Sequence, residues 1–404
     1  MSDTTTLTLE EAGDLARRAL RAANVSEANA ATVAAALVAA ERDGQGGHGL
    51  ARVPAYAAQA RAGKVDGHAT PTLDRIAPAM LRVDAAHGFA FPAIELAVER
   101  LPSVARGAGL AGAAIARSHH AGVLAHPVER LAREGLVAIM VANAPKAMAP
   151  WGGAAPLYGT NPIAFAAPVG APDGKASDGK GPDGKGLDGK GPDGAGPEPL
   201  VVDLSLSRVA RGKVMRAAQR GEPIPEGWAL DADGNPTTDA EAALAGTMVP
   251  AGEAKGAALA LMVEVLAASL TGASHSADAS SFFDAEGPPP GTGQFLLVID
   301  PRAAAPGFVE RTAALLDMIV AQGARVPGTS RLAARARAER EGVRVETGLV
   351  DAIRALGEAD GGSDGDRDAP SEDGDVPGED GEVSSEGGDA SGEAADASGE
   401  GADA

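Results

Sequence analysis

From residue 8 to residue 63, apolar positions recur every three to four residues, the period of amphipathic helices. Thr8-Leu9-Glu10-Glu11 has the form of a capping box and opens the run LEEAGDLARRALRAA. Ser26 is placed to cap a second helix reaching about Arg42. Pro54 suits the first turn of a third, PAYAAQARAG, which Gly63 ends. From about residue 78 the pattern shortens. MLRVDA, GAAIARS, LVAIMVAN, IAFAAP and LVVDLS are brief apolar runs bounded by Gly, Pro, Asn and Asp, and they read as strands, several of them buried on both faces. Helical patterns, FPAIELAVERLPSVARGAG and LAHPVERLAREG, separate some of them, and AKGAALALMVEVLAASLTGA followed by GQFLLVID repeats the helix–strand theme. ERTAALLDMIVAQ and TSRLAARARAEREG are further helices, expected to pack back on the N-terminal ones.

The expected fold class is α/β. A helical N-terminal part (1–75) precedes a domain carrying a mixed sheet (76–302), and C-terminal helices (303–357) return to the N-terminal part. Two segments carry no such pattern. Residues 170–197 repeat DGK with period five, nearly balanced in charge and with Leu187 as the single large hydrophobe, as expected of a flexible surface insertion. Such runs occur in calcium loops, but an EF-hand also needs a bidentate Glu at its twelfth position and flanking apolar helices. The tail, 358–404, is acidic and expected to be disordered.

Composition sharpens this picture in three ways. The net charge of −21 lies mostly in the tail: seventeen acidic residues and one arginine between Glu358 and Ala404 give −16 there and −5 for the remainder. The folded part has no basic stripe, so nucleic acid is not an expected partner. Without cysteine, thiolate catalysis, disulfides and Cys-based metal sites are excluded, which fits a cytoplasmic protein. No apolar run approaches the length of a membrane span, and the N-terminus lacks the order of a signal peptide. Aromatic residues make up only 3% of the chain, so aliphatic side chains and alanine must fill the core.

Gly107, Gly109 and Gly112 match G-x-G-x-x-G, yet a helical pattern precedes them and a strand follows, the reverse of a dinucleotide-binding Rossmann turn. These glycines are expected to stop the helix and turn the chain.

The candidate chemistry is spread over short segments. His48 and Arg52 are spaced by four residues, which places them on one side of a helical turn. A guanidinium pairs bidentately with a carboxylate, and an adjacent imidazole can bond a neighbouring oxygen, so the pair suits a 2-oxo or 2-hydroxy acid; spacing alone favours the plainer reading, a surface loop Arg and an exposed His. His119 and His120 close a strand, where their side chains are expected to point opposite ways. Either is a candidate general acid–base near neutral pH. With His126 they offer three imidazoles, but the spacing fits no standard metal set and no metal is expected. Thr160, Asn161, Asp203 and Ser205 border strands, where turns and ligand contacts both occur. Lys255 opens a long helix, a place suited to a phosphate.

Taken together, HGLARVPAY, SHHAGVLAHPVERLAREGLV, APWGG…PLYGTNPIAFAAP, VVDLSLSRVARGK, GEPIPEGWALDADGNPTTD, AKGAALALMVEVLAASLTGA and RVPGTSRL resemble the malate/L-lactate dehydrogenase family from about residue 8 to about 350. That family is distinct from the Rossmann-fold lactate and malate dehydrogenases. The resemblance implies a non-Rossmann NAD(P)-binding fold and hydride transfer between nicotinamide (NAD or NADP) and a small 2-oxo or 2-hydroxy acid of the malate, lactate or sulfolactate type. It assigns acid–base catalysis to His120, the substrate oxygen to His48, and the carboxylate to Arg52. It places Thr160 at the substrate and the cofactor, with Asn161, Asp203, Ser205, Lys255 and Gly328 also at the cofactor. It further implies a homodimer. Gly47 stands where the family usually has Ser, SHHAG replaces S-N-H-F-G, Thr329 replaces an acidic residue, and the DGK insertion is an addition. The first two leave the substrate open: a cyclic-imine reductase acting on piperideine- or pyrroline-2-carboxylate is the nearest alternative. An ion-binding or interaction protein working through the insertion and tail is the alternative outside enzymes.

Overall fold

The computed structural model describes residues 3–170 and 198–358. Most of the insertion, and the tail from residue 359, lie outside the described residues, as do the flexibility, disorder and ion binding considered for them.

In chain order the elements are β1 (Thr4–Leu7), α1 (Leu9–Arg21), α2 (Glu27–Arg42), α3 (Val53–Arg61), β2 (Thr72–Ala77), β3 (Met80–Asp84), α4 (Ala90–Ala108), β4 (Leu110–Ser118), α5 (Ala125–Arg133), β5 (Val137–Ala142), β6 (Ile163–Ala167) and β7 (Leu200–Leu204). There follow α6 (Arg211–Arg220), β8 (Ala229–Leu230), β9 (Pro236–Thr237), α7 (Ala240–Ala245), β10 (Thr247–Met248), α8 (Ala254–Glu264), β11 (Thr292–Ile299), α9 (Pro301–Ala304), α10 (Phe308–Ala321), α11 (Thr329–Glu341), β12 (Val343–Glu346) and α12 (Thr347–Glu358).

The expected caps form. Thr8 accepts from the Glu11 amide while the Glu11 carboxylate accepts from the Thr8 amide, satisfying two otherwise free donors at the start of α1. At the start of α2 the Ser26 hydroxyl accepts from the Asn29 amide. Gly109, with φ of 83°, ends α4 in the left-handed conformation, and β4 begins at the next residue. The G-x-G-x-x-G run is therefore a helix stop.

Seven strands form the mixed sheet in the order β2-β3-β4-β11-β5-β6-β7, with β3 and β4 parallel and the other neighbours antiparallel. On one face, α4 and α5 pack through Ile94, Val98, Leu101, Val128 and Leu131 against Val83, Ile115, Met140 and Val298. Burying each of the larger aliphatic side chains contributes about 2 kcal/mol. The other face carries α8, α6, α7 and the small β10-β8-β9 sheet, packed through Met148, Leu206, Val214, Met248 and Val263. The run AKGAALALMVEVLAASLTGA does not stay α-helical: residues 265–269 form a π-helical turn, an irregularity common near functional sites.

A second core joins the two ends of the fold. β1 and β12 pair antiparallel, α12 packs on α1, and Leu20, Leu37, Tyr56, Val345 and Ile353 share one cluster. Neither short strand nor α12 was apparent in the hydrophobic pattern. Of the two C-terminal helices expected to return, α11 does so. Arg335 forks between Asp43 at the end of α2 and Glu129 in α5, donating to both oxygens of each carboxylate at 2.7–2.9 Å, and Arg331 joins both. In α10, Leu316 packs with Val169 and Val326.

Candidate active site

Sheet register brings distant segments to one edge. Ser118 at the end of β4 pairs with Thr292, Gln294 with Ala142, Val141 with Ile163, and Ile163 with Leu204. His119 and His120 follow the first of these positions, Thr160 and Asn161 precede β6, and Asp203 and Ser205 lie at the end of β7. The pairing thus aligns segments 85 residues apart in sequence, from Ser118 to Asp203.

The N-terminal helices bring the remaining groups to the same edge. His48 and Arg52 do not share one helix, as their spacing suggested. They lie on successive 3-10 turns, 46–48 and 50–52, broken at Gly49. Glu41 explains the break: its carboxylate accepts from the Leu50 amide at 2.9 Å, and a Cβ at Gly49 would sit 2.6 Å from it. Burial raises the pKa of Glu41. Even so, the imidazoles of His48 and His120 stack with centroids 5.2 Å apart and planes 16° from parallel.

α3 then aligns Arg52, Tyr56 and Gln59 along one stripe. The Tyr56 hydroxyl lies 2.6 Å from Nδ1 of His120. Nε of Arg52 donates to the Gly47 carbonyl at 2.8 Å, and its Nη groups have no hydrogen-bond partner among the described residues. No carboxylate pairs with Arg52 there either, although the residue is only 9% exposed. A buried cation without a counter-ion is costly and calls for an anionic ligand.

The two adjacent histidines do not diverge as strand alternation predicted. β4 ends at Ser118 after Arg117 takes a positive φ of 50°, so alternation stops before the pair. Both rings contact Tyr56 and both lie 5.2 Å from the Phe282 ring. His119 is buried with neither ring nitrogen hydrogen-bonded, wedged among Tyr56, Phe89 and Phe282. Four of the chain's seven phenylalanines, Phe89, Phe91, Phe282 and Phe283, touch this cluster or Arg52.

Burial, reinforced by the Arg52 charge, lowers the pKa of His48 to about 4. Burial with Lys64 and Arg52 nearby lowers His119 to about 3. His120 is pushed well down by burial first, then by Arg52 and its histidine neighbours. Burial raises Tyr56 well above the ordinary phenol range. All four are therefore neutral at pH 7, and a neutral imidazole can accept a proton.

The other sequence candidates lie farther along the edge. Ser205 Oγ hydrogen-bonds Ser207 Oγ at 2.7 Å and lies 3.4 Å from the Thr160 carbonyl. Asp203 accepts from the Ala125 amide at the start of α5, and burial raises its pKa. Asn161 is fully buried; its amide nitrogen donates to the Ala260 carbonyl and to Glu264. Glu264, which also accepts from the amide and hydroxyl of Ser276, ties that turn to α8 just where the π-helical turn begins. Lys255 is exposed near the start of α8, and Gly328 caps α11 with φ of 89°, close to the Val201 carbonyl. His126 faces Asp43 at 3.2 Å, away from the histidine pair. Arg211, half-buried at the start of α6, has no ion-pair partner among the described residues, and burial lowers its pKa.

Sequence reasoning missed Tyr56, Glu41, Glu264 and Phe282. Tyr56 left a usable signal, since its spacing of four from Arg52 continues the same helical stripe. Glu264 and Phe282 act through contacts remote in sequence, and Glu41 through an irregular turn eight to nine residues on.

The chain belongs to the malate/L-lactate dehydrogenase family, whose sequence profile matches residues 7–176 and 191–354. Within that family it is 51% identical over 350 residues to the NADP(+)-dependent (2R)-3-sulfolactate dehydrogenase of Chromohalobacter salexigens, covering 86% of this chain and 97% of that protein. It is 41% identical to the Δ1-pyrroline-2-carboxylate/Δ1-piperideine-2-carboxylate reductase of Pseudomonas putida, over 82% of this chain and 91% of that one. The Δ1-piperideine-2-carboxylate reductase crystal structure from Pseudomonas syringae superposes with a TM-score of 0.76 at 36% identity, covering 87% of this chain and 99% of that one. A sulfolactate dehydrogenase structure from Methanocaldococcus jannaschii gives 0.74 at 26% identity, over 87% and 96% of the two chains.

Proposed function

We propose that the protein is an NADP-preferring oxidoreductase that interconverts a small 2-oxo acid and its 2-hydroxy acid, with sulfopyruvate and 3-sulfolactate the first pair to test. The observation that carries this reading is Arg52, a buried guanidinium with unused Nη donors beside the stacked His48 and His120. The 51% identity to an NADP(+)-dependent sulfolactate dehydrogenase supports both the coenzyme and the substrate pair.

Bound nicotinamide supplies or accepts the hydride. The residues do the rest. Arg52 takes the carboxylate in its planar fork. His48 positions the oxygen on C2. His120 Nε2 gives a proton to that oxygen in reduction and takes it back in oxidation. Tyr56 can donate to or accept from Nδ1, so it serves both protonation states of His120. Thr160, Asn161, Asp203, Ser205, Lys255 and Gly328 are the proposed cofactor contacts, with Asn161 acting by shaping its turn.

The reading includes a homodimer. Between Lys255 and Glu264, α8 is apolar all round, and Leu259, Leu261 and Met262, with Val265 and Leu270 in the following turn, are each 43–51% exposed. A helix of that kind is normally covered, and a second copy is the proposed cover. Among the described residues, no helix is long and apolar enough to cross a membrane. A cytoplasmic location accords with the absence of cysteine.

The test is oxidation of NADH and NADPH with sulfopyruvate, oxaloacetate, pyruvate and piperideine-2-carboxylate, repeated with His120→Ala. A 2-oxo acid reductase gives turnover with at least one oxo acid and a loss of roughly a hundredfold or more in the variant. Turnover of the imine alone would assign the second reading, which the 41% identity to an imine reductase favours. Wild-type turnover in His120→Ala would remove the acid–base assignment.

A further inference from the structure

Phe282, Phe283 and Asp284 lie in the long segment between the π-helical turn and β11 and cover the site opposite α3. Phe282 is 5% exposed and packs on both histidine rings. The Phe283 ring lies 4.7 Å from the guanidinium carbon of Arg52. The Asp284 carbonyl accepts from Gln59 Nε2 at 2.9 Å and from Lys64 Nζ at 3.1 Å, and its carboxylate pairs with Lys64 at 3.0 Å. The Lys64 side chain is 1% exposed, and among the described residues Asp284 is its only carboxylate partner. A buried ammonium must be paired and hydrogen-bonded, so Lys64 acts as a latch. α3 and the residues after it therefore hold the segment, which in turn packs on Arg52 and the histidines.

The guanidinium is planar. Stacking on an aromatic ring engages its face and leaves the in-plane N–H edges free for a carboxylate. We propose that Phe283 is a specificity-determining residue. It fixes the plane of Arg52, and with Phe282 it forms the wall that limits the bulk carried beyond C2 of the acid, a wall latched by Lys64 through Asp284. This rests on the reading of Arg52 as the carboxylate anchor.

The experiment compares Phe283→Ala, Phe283→Tyr, Lys64→Met and Arg52→Lys in the full chain. Each is assayed with whichever acid of the panel the unsubstituted enzyme reduces, and with phenylpyruvate as a bulky probe. Phe283→Ala should raise KM for the small acid about three- to tenfold, with kcat within about twofold and KM for the coenzyme unchanged. Its relative kcat/KM for phenylpyruvate should rise. Phe283→Tyr should restore both values. Lys64→Met keeps the buried stem apolar and leaves Asp284, 52% exposed, to water, so it should fold and reproduce the KM rise. Unchanged KM and unchanged preference in both Phe283→Ala and Lys64→Met overturn the proposal. If Arg52→Lys also leaves KM unchanged, the anchor reading falls with it; if Arg52→Lys raises KM alone, only the wall falls.

Discussion

The Tyr56 hydroxyl and Nδ1 of His120 lie 2.6 Å apart, with both side chains buried, so the two share a single proton position. Tyr56→Phe keeps the ring packed between Phe89 and His119 but removes that partner. The fold and the coenzyme KM should survive, while kcat falls about tenfold, the order expected for one lost hydrogen bond to a group that becomes charged. Steady-state kinetics beside a thermal melt separates this outcome from loss of fold.

Burial and, after it, the Arg52 charge lower the proton affinity of His120 in the free enzyme. A bound carboxylate neutralises that charge, so the affinity rises on binding and the complex takes up protons. Calorimetric titration with oxamate, an unreactive isostere of pyruvate, in two buffers of different ionisation heat should register net uptake near pH 6. Equal heats in both buffers would contradict the coupling.

Acid should destabilise the fold before its carboxylates titrate. In the unfolded chain His48 and His119 bind protons near pH 6.5, whereas folded they refuse them until about pH 4 and about pH 3. Between those values the unfolded state holds more protons, so stability present above pH 6.5 is lost as pH falls. Asp43, held down by Arg335 and His126 against its own desolvation, gives up its contribution only at more acidic pH. Urea midpoints should drop from pH 7 to pH 5, and His119→Leu should reduce that slope by about one proton.

A Cβ at Gly47 meets nothing within 4 Å, although Glu41 crowds Gly49 two residues on. Gly47→Ser should therefore fold normally and place a hydroxyl beside Arg52. The expected change is confined to KM for the acid and to the ranking of the substrate panel. A drop of several degrees in Tm would show that the position is not open.

If α8 forms a subunit interface, Leu261→Glu together with Val265→Glu should convert the dimer to monomer in sedimentation velocity, because both side chains are about half exposed in the single chain. A monomeric unsubstituted protein would remove the premise.

Local signals carried much of this fold. Thr8, Ser26 and Gly109 mark element ends through their own backbone chemistry, and short apolar runs reveal most strands of the main sheet. β1 and β12 are four residues each and pair only with each other, with Leu7 and its partner Val343 lying 336 residues apart, so no local pattern announces them. At the site, His48, Arg52 and His120 stood out by residue type. The orientation of His119 did not, because alternation is a property of a continuing strand and this one stops at Ser118. Glu41 and Glu264 carry no local signal of their role, which lies in the turns they hold in three dimensions.

The concentration of rings around His119 has a consequence for observation. With two tyrosines, two tryptophans and seven phenylalanines in the whole chain, and Tyr56 and four phenylalanines gathered at one place, five of these eleven aromatic side chains report on the candidate active site in a nuclear magnetic resonance spectrum. Occupancy, protonation and movement of the Phe282–Phe283 wall should be readable there without any introduced label.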